Sequence, residues 1–90
     1  MKYTILVSRT FQKQFHSLEN NVQVRIKSAL KTLEGDPFHS RSGADIKKLS
    51  HTEPAKYRLR VGNYRIIYAV EHKTVKVIEV FKRGKGYKDL

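Results

Sequence analysis

The apolar positions divide the chain into short elements with different periods. Tyr3 to Val7 alternates apolar and mixed residues and predicts a first strand. Ser8 follows as a helix N-cap, its hydroxyl suited to accept an orphan backbone N–H, and Phe11, Phe15 and Leu18 recur at helical spacing on one stripe. Asn20 is expected to cap a second helix, in which Val22, Ile26, Ala29, Leu30 and Leu33 keep a 3.6-residue period. Gly35 suits the left-handed position beyond that helix, and Pro37 prevents its continuation. Arg25, Lys27 and Lys31 lie on its outer face.

Phe38 to Pro54 is the least regular stretch. It reads as a long loop with a short apolar anchor at Ile46 and Leu49, flanked by Lys47 and Lys48. Tyr57–Val61, Tyr64–Val70 and Val75–Phe81 then read as three successive strands, the first two joined by Gly62-Asn63, a favoured two-residue hairpin turn. The tail from Lys82 to Tyr87 carries two glycines and is expected to leave the sheet. The expected fold is α+β in the order β-α-α-β-β-β. A three-stranded antiparallel meander pairs with the first strand, a helical hairpin covers one face, and residues 1–90 make a single domain.

The hairpin turn sets which side chains share a face. With Gly62 and Asn63 in the turn, Val61 pairs with Tyr64, Arg60 with Arg65, Leu59 with Ile66, Arg58 with Ile67 and Tyr57 with Tyr68. One face then carries Tyr57, Leu59, Val61, Tyr64, Ile66, Tyr68 and Val70 under the helices, and the other Lys56, Arg58, Arg60, Arg65, Ile67 and Ala69. Arg60 opposite Arg65 is the informative pair. Like charges directly opposed on a sheet are destabilising, and no acidic residue of the hairpin shares that face, so a local rule is broken as it is at functional sites.

The last strand admits two registers. A two-residue turn at His72 and Lys73 turns Val75, Val77, Glu79 and Phe81 inward. A turn one residue longer or shorter buries Ile78 and Val80 and places Glu79, Phe81 and Arg83 with the arginines. The second is preferred because it does not bury a lone carboxylate.

Charge sharpens this picture. The chain has 90 residues with 19 Lys and Arg against 8 Asp and Glu, a net charge of +11. Residues 1–45 hold 7 basic and 4 acidic groups, residues 46–90 hold 12 and 4. An excess concentrated on the half that carries the arginine face points to a polyanion, most commonly nucleic acid. There is no cysteine, which excludes disulfides and thiolate metal sites and fits a reducing cytosol. No targeting segment is visible, and the longest apolar run, Ile66 to Val70, is far too short to span a bilayer, so a soluble cytoplasmic protein without a membrane partner is expected. His16, His39, His51 and His72 are dispersed and read as surface residues, with no metal site and no cofactor.

These residues resemble the RelE/ParE toxin superfamily over nearly the whole chain. The resemblance is carried by Asp45-Ile46-Lys47-Lys48-Leu49, by Tyr57 to Tyr68, and by Lys82-Arg83 followed by Tyr87. It implies the RelE-like fold of the microbial ribonuclease type. It further implies the toxin of a type II toxin–antitoxin system, an endoribonuclease that binds the 70S ribosome and cuts mRNA in the A site. That cut is a metal-free transesterification in which the ribose 2′-hydroxyl attacks the adjacent phosphate. The family's catalytic residues map onto Arg58, Arg60, Arg65, Arg83 and Tyr87, with Lys47, Lys48, Lys56, Lys82 and Lys85 as RNA-binding positions. The implied partner is a RelB-like cognate antitoxin that wraps the basic surface, DNA being met only through the toxin–antitoxin complex. Many relatives have histidine where Lys82 stands, and branches that use it as a base are disfavoured by the lysine. The alternative is a ParE-like toxin that inhibits DNA gyrase without cutting RNA.

Overall fold

The structure, a computed structural model, describes residues 2–84. Strand β1 (Thr4–Val7) leads into helix α1 (Arg9–His16) and helix α2 (Asn20–Thr32), followed by β2 (Asp45–Lys48), β3 (Lys56–Val61), β4 (Tyr64–Glu71) and β5 (Thr74–Lys82). The sheet order is β1-β5-β4-β3-β2, antiparallel throughout except that β1 runs parallel to β5. This is the expected α+β arrangement with one strand more. Asp45–Lys48, expected within a loop, forms the edge strand β2. Only Ile46 of its four residues is buried, so no period-two signal marks it.

Both helices pack on one face. Ser8 caps α1, its hydroxyl accepting from the Phe11 N–H at 3.0 Å, and Phe11 and Phe15 are buried. Ile26, Leu30 and Leu33 bring α2 onto the sheet residues Leu59, Ile66, Tyr68, Val75, Val77 and Val80. Each side chain of this size adds about 1.5–3 kcal/mol when fully buried.

The two ends of α2 depart from expectation. Its N-cap is Glu19, without a capping side chain, and Asn20 is already helical. Gly35 is not left-handed. The chain leaves α2 through i→i−3 bonds from Leu33, Glu34 and Gly35 to Leu30, Lys31 and Thr32. Arg41 completes this end, donating from Nη2 to the Thr32 carbonyl and from Nη1 to the Asp36 carbonyl. The segment beyond is pinned to the sheet by the Tyr68 hydroxyl, which donates to the Pro37 carbonyl at 2.7 Å, and by Phe38, whose ring meets Tyr57 edge-on.

Strand β5 combines both registers weighed for it. The turn has two residues, His72 and Lys73, both with left-handed φ, so Val75 and Val77 face the helices. A bulge follows. Tyr68 pairs with Val77 but Ile67 pairs with Glu79, leaving Ile78 as the extra residue. Parity reverses there, so Val80 is buried while Glu79 and Phe81 lie on the other face with Ile67 and Arg65. Beyond the end of β1, side chains of the first helix take the backbone groups of β5: the Ser8 hydroxyl donates to the Ile78 carbonyl, and Gln14 Oε1 accepts from the Val80 N–H at 2.7 Å.

Candidate nucleic-acid interface

The face opposite the helices is built by strand registers. The β3–β4 pairing is the predicted one, with Arg60 opposite Arg65, Arg58 opposite Ile67 and Lys56 opposite Ala69. The turn that sets it has left-handed φ at Gly62 alone, matching the hairpin turn that takes glycine first. Strand β2 adds Asp45 opposite Arg60 and Lys47 opposite Arg58. From the other side β5 adds Phe81 opposite Arg65 and Glu79 opposite Ile67.

Arg65 is the one buried charged residue among those described, 5% exposed. Its Nη1 donates to the carbonyls of Gly62 and Tyr64 at 3.4 and 3.3 Å. Burial, followed by the neighbouring charges of Arg60, Arg58 and Arg83, pushes its pKa below the ordinary arginine value, while Asp45 opposes the shift. It remains a cation, since arginine is not deprotonated in proteins. Four guanidinium groups therefore share one electrostatic neighbourhood. Arg83 enters it from just beyond β5, its backbone N–H bonded to the Asn63 carbonyl.

Asp45 is the acidic counterweight. Its Oδ1 accepts from Arg58 Nη2 at 2.9 Å, and Oδ2 lies 4.0 Å from Arg60 Nη1. Its place on this face is not among the expectations from sequence, which leave residues 38–54 as a loop. The buried Ile46 beside it is the signal that could have placed it there, since a strand that buries Ile46 presents its neighbours Asp45 and Lys47 to the other side.

Two buried side-chain polar atoms among the described residues lack a hydrogen-bond partner, and they are Nε of Arg58 and Nε of Arg65. Buried donors are otherwise satisfied almost without exception. Guanidinium groups bind phosphate oxygens through paired N–H donors and stay charged, which is the chemistry a cluster of arginines can offer.

Of the other predicted positions, Lys47 and Lys56 share the arginine face, whereas Lys48 and Lys82 pair with Tyr57 and Tyr64 and alternate to the helix side. Lys85 and Tyr87 lie outside the described residues. All four histidines are exposed, and no group of three or more potential metal ligands occurs among the described residues. Among the described residues no helix is long and apolar enough to cross a membrane.

A family model described as the ParE toxin of the type II toxin–antitoxin system parDE matches residues 5–87. Among solved structures, a chain of the archaeal RelE–RelB complex from Pyrococcus horikoshii OT3 is 30% identical. The match covers 96% of this chain and 100% of that one, with a TM-score of 0.81. A chain of the RelB–RelE antitoxin–toxin complex from Methanococcus jannaschii is 28% identical over 86% of this chain and 88% of that one, with a TM-score of 0.71. The isolated E. coli RelE toxin has the same fold at 23% identity and a TM-score of 0.75, over 93% of this chain and 87% of that one. No curated protein matches the sequence.

Proposed function

The chain belongs to the RelE/ParE superfamily of type II toxins, and on that premise we propose that it is a ribosome-dependent mRNA endonuclease held inactive by a RelB-like antitoxin. The observation that carries this reading is the clustering of Arg58, Arg60, Arg65 and Arg83 in one electrostatic neighbourhood on the face opposite the helices. The cluster provides one thing that cleavage of an RNA phosphodiester demands, stabilisation of the charge that grows on the phosphate.

In that reaction the 2′-oxygen passes its proton to water and attacks the adjacent phosphorus. The bond to the 5′-oxygen breaks, leaving a 2′,3′-cyclic phosphate and a protonated 5′-hydroxyl. Negative charge grows on the non-bridging oxygens at the pentacoordinate stage, and preorganised donors aimed there stabilise it. Arg65 and Arg58 offer guanidinium donors in a partly desolvated setting, and Arg60 adds a further charge across the strand pair. Arg83 assists departure of the 5′-oxygen. Lys47 and Lys56, on the same face, follow the backbone to either side. Lys48, Lys82 and Lys85 contribute to the general positive field that draws mRNA on the 70S ribosome. Tyr87 orients the base or the 2′-hydroxyl, a role that rests on the family resemblance.

The reaction calls for no metal or cofactor, and the cytoplasm is its place of action. The match to a ParE description supports one second reading, inhibition of DNA gyrase without RNA cleavage. Induction in cells followed by primer extension on abundant mRNAs separates the two. Cuts within translated codons support the endonuclease, and intact mRNA with a DNA-damage response supports gyrase inhibition.

A further inference from the structure

We propose that Asp45 is a positioning residue of this site, holding Arg58 and Arg60 in the arrangement that grips the scissile phosphate without touching RNA itself. The inference rests on the endonuclease reading above. Its first support is register. Ile46 is buried opposite Leu59, which anchors β2 and fixes Asp45 directly across from Arg60. The second is the division of its oxygens, Oδ1 at 2.9 Å from Arg58 Nη2 and Oδ2 at 4.0 Å from Arg60 Nη1. One carboxylate thus addresses two guanidinium groups. The third is unequal burial: the Arg58 side chain is 12% exposed and that of Asp45 51%, so a carboxylate at the rim holds a guanidinium that is itself packed into the face. With Nη2 engaged, the buried Nε–H of Arg58 is left without an acceptor.

A free arginine side chain loses much rotamer freedom when it closes on a phosphate. Asp45 has removed that freedom from Arg58 in advance, which is the structural content of preorganisation. The same carboxylate is a negative charge beside a phosphate site and weakens attraction of the ground-state RNA. Geometry and affinity therefore respond in opposite directions to its removal, which a purely structural ion pair does not predict.

The test uses the full chain on 70S ribosomes programmed with mRNA, measuring the cleavage rate at saturation and the half-saturating concentration. Asp45→Asn keeps size and hydrogen bonding but removes the charge. The saturating rate is expected to fall about tenfold while the half-saturating concentration falls about twofold. Asp45→Glu, which restores the charge, is expected to recover most of the lost rate. An unchanged rate in Asp45→Asn overturns the proposal. So does a fall in rate with weaker binding, which assigns Asp45 to RNA contact or to the fold, and so does an Asp45→Glu variant as slow as Asp45→Asn. Absence of cleavage by the unaltered chain defeats the endonuclease reading itself, and is recognised before any variant is compared.

Discussion

Arg65 lies directly across the β3–β4 ladder from Arg60, and it is Arg65 that is shut away from solvent. Its depressed pKa, caused first by burial and then by Arg60, Arg58 and Arg83, means that folding works against this charge. Arg65→Met keeps the bulk and removes the charge. It is expected to raise stability to urea by about 1–2 kcal/mol, as replacement of buried ions by apolar residues often does. Cleavage by the same variant is expected to fall roughly 10²–10³-fold, as on loss of a transition-state donor. Arg65→Lys keeps a charge but lacks Nε, and a comparable loss of rate is expected. Unchanged toxicity of Arg65→Met at equal expression would sink the assignment of this residue.

Gly62 makes the hairpin turn with φ of +57°, and a Cβ there stands 2.9 Å from Arg25 Nη2. The guanidinium is the far end of a flexible side chain and yields, so backbone strain dominates. Gly62→Ala is expected to destabilise by about 1 kcal/mol. Combining it with Arg25→Ala should recover little of that loss in a double-mutant cycle. Full recovery would show that the clash, not the backbone, sets the cost.

Gln14 accepts the Val80 N–H, which no strand pairs. Gln14→Leu leaves this donor, on a residue 3% exposed, without a partner. A loss of about 1–3 kcal/mol is expected, with faster hydrogen exchange at Val80 than at Val75. Equal protection at the two amides would show that the helix does not hold the bulged end of β5.

Tyr68 is fully buried, and burial, then Tyr57, raises its pKa above the ordinary value of 10.0. A group whose folded pKa is raised contributes stability that is present below its unfolded pKa and lost as pH rises through the folded one. Wild type should therefore lose stability above about pH 10 relative to Tyr68→Phe, which has no phenol to ionise. Near neutral pH the order is reversed, because Tyr68→Phe strands the Pro37 carbonyl at a cost of about 1 kcal/mol. Denaturation of both proteins across this range gives two curves that converge with rising pH. A constant gap between them would refute the assignment.

How much was legible in the sequence follows from which forces are local. The β3–β4 register could be read because Gly62-Asn63 leaves few alternatives and the alternation around it is clean. The face shared by Arg58, Arg60 and Arg65 came with it. The last strand could not be resolved by choosing a turn length. Val75 and Val77 obey one parity and Val80 the other, and the bulge at Ile78 that reconciles them is stabilised by Ser8 and Gln14, some seventy residues away in sequence. Strand β2 was missed because an edge strand with a single buried residue has almost no pattern of its own, and the ion pairs of Asp45 were lost with it. At the end of α2, Gly35 was read as left-handed because glycine usually is there, whereas Arg41 supplies the needed donors and a tighter turn suffices.

The parallel pairing of β1 with β5 has a consequence for synthesis. The strand made first has no sheet neighbour until the strand made last has left the ribosomal tunnel. β5 also lies alongside Arg65, through Phe81, and brings Glu79 to the arginine face. A nascent chain interrupted before Thr74 lacks the strand that links β1 to β4, and with it Arg83 and the Phe81 and Glu79 neighbours of the arginine face. The sheet therefore closes from its last-made strand, with β5 joining β1 to β4 after the β3–β4 hairpin has been made.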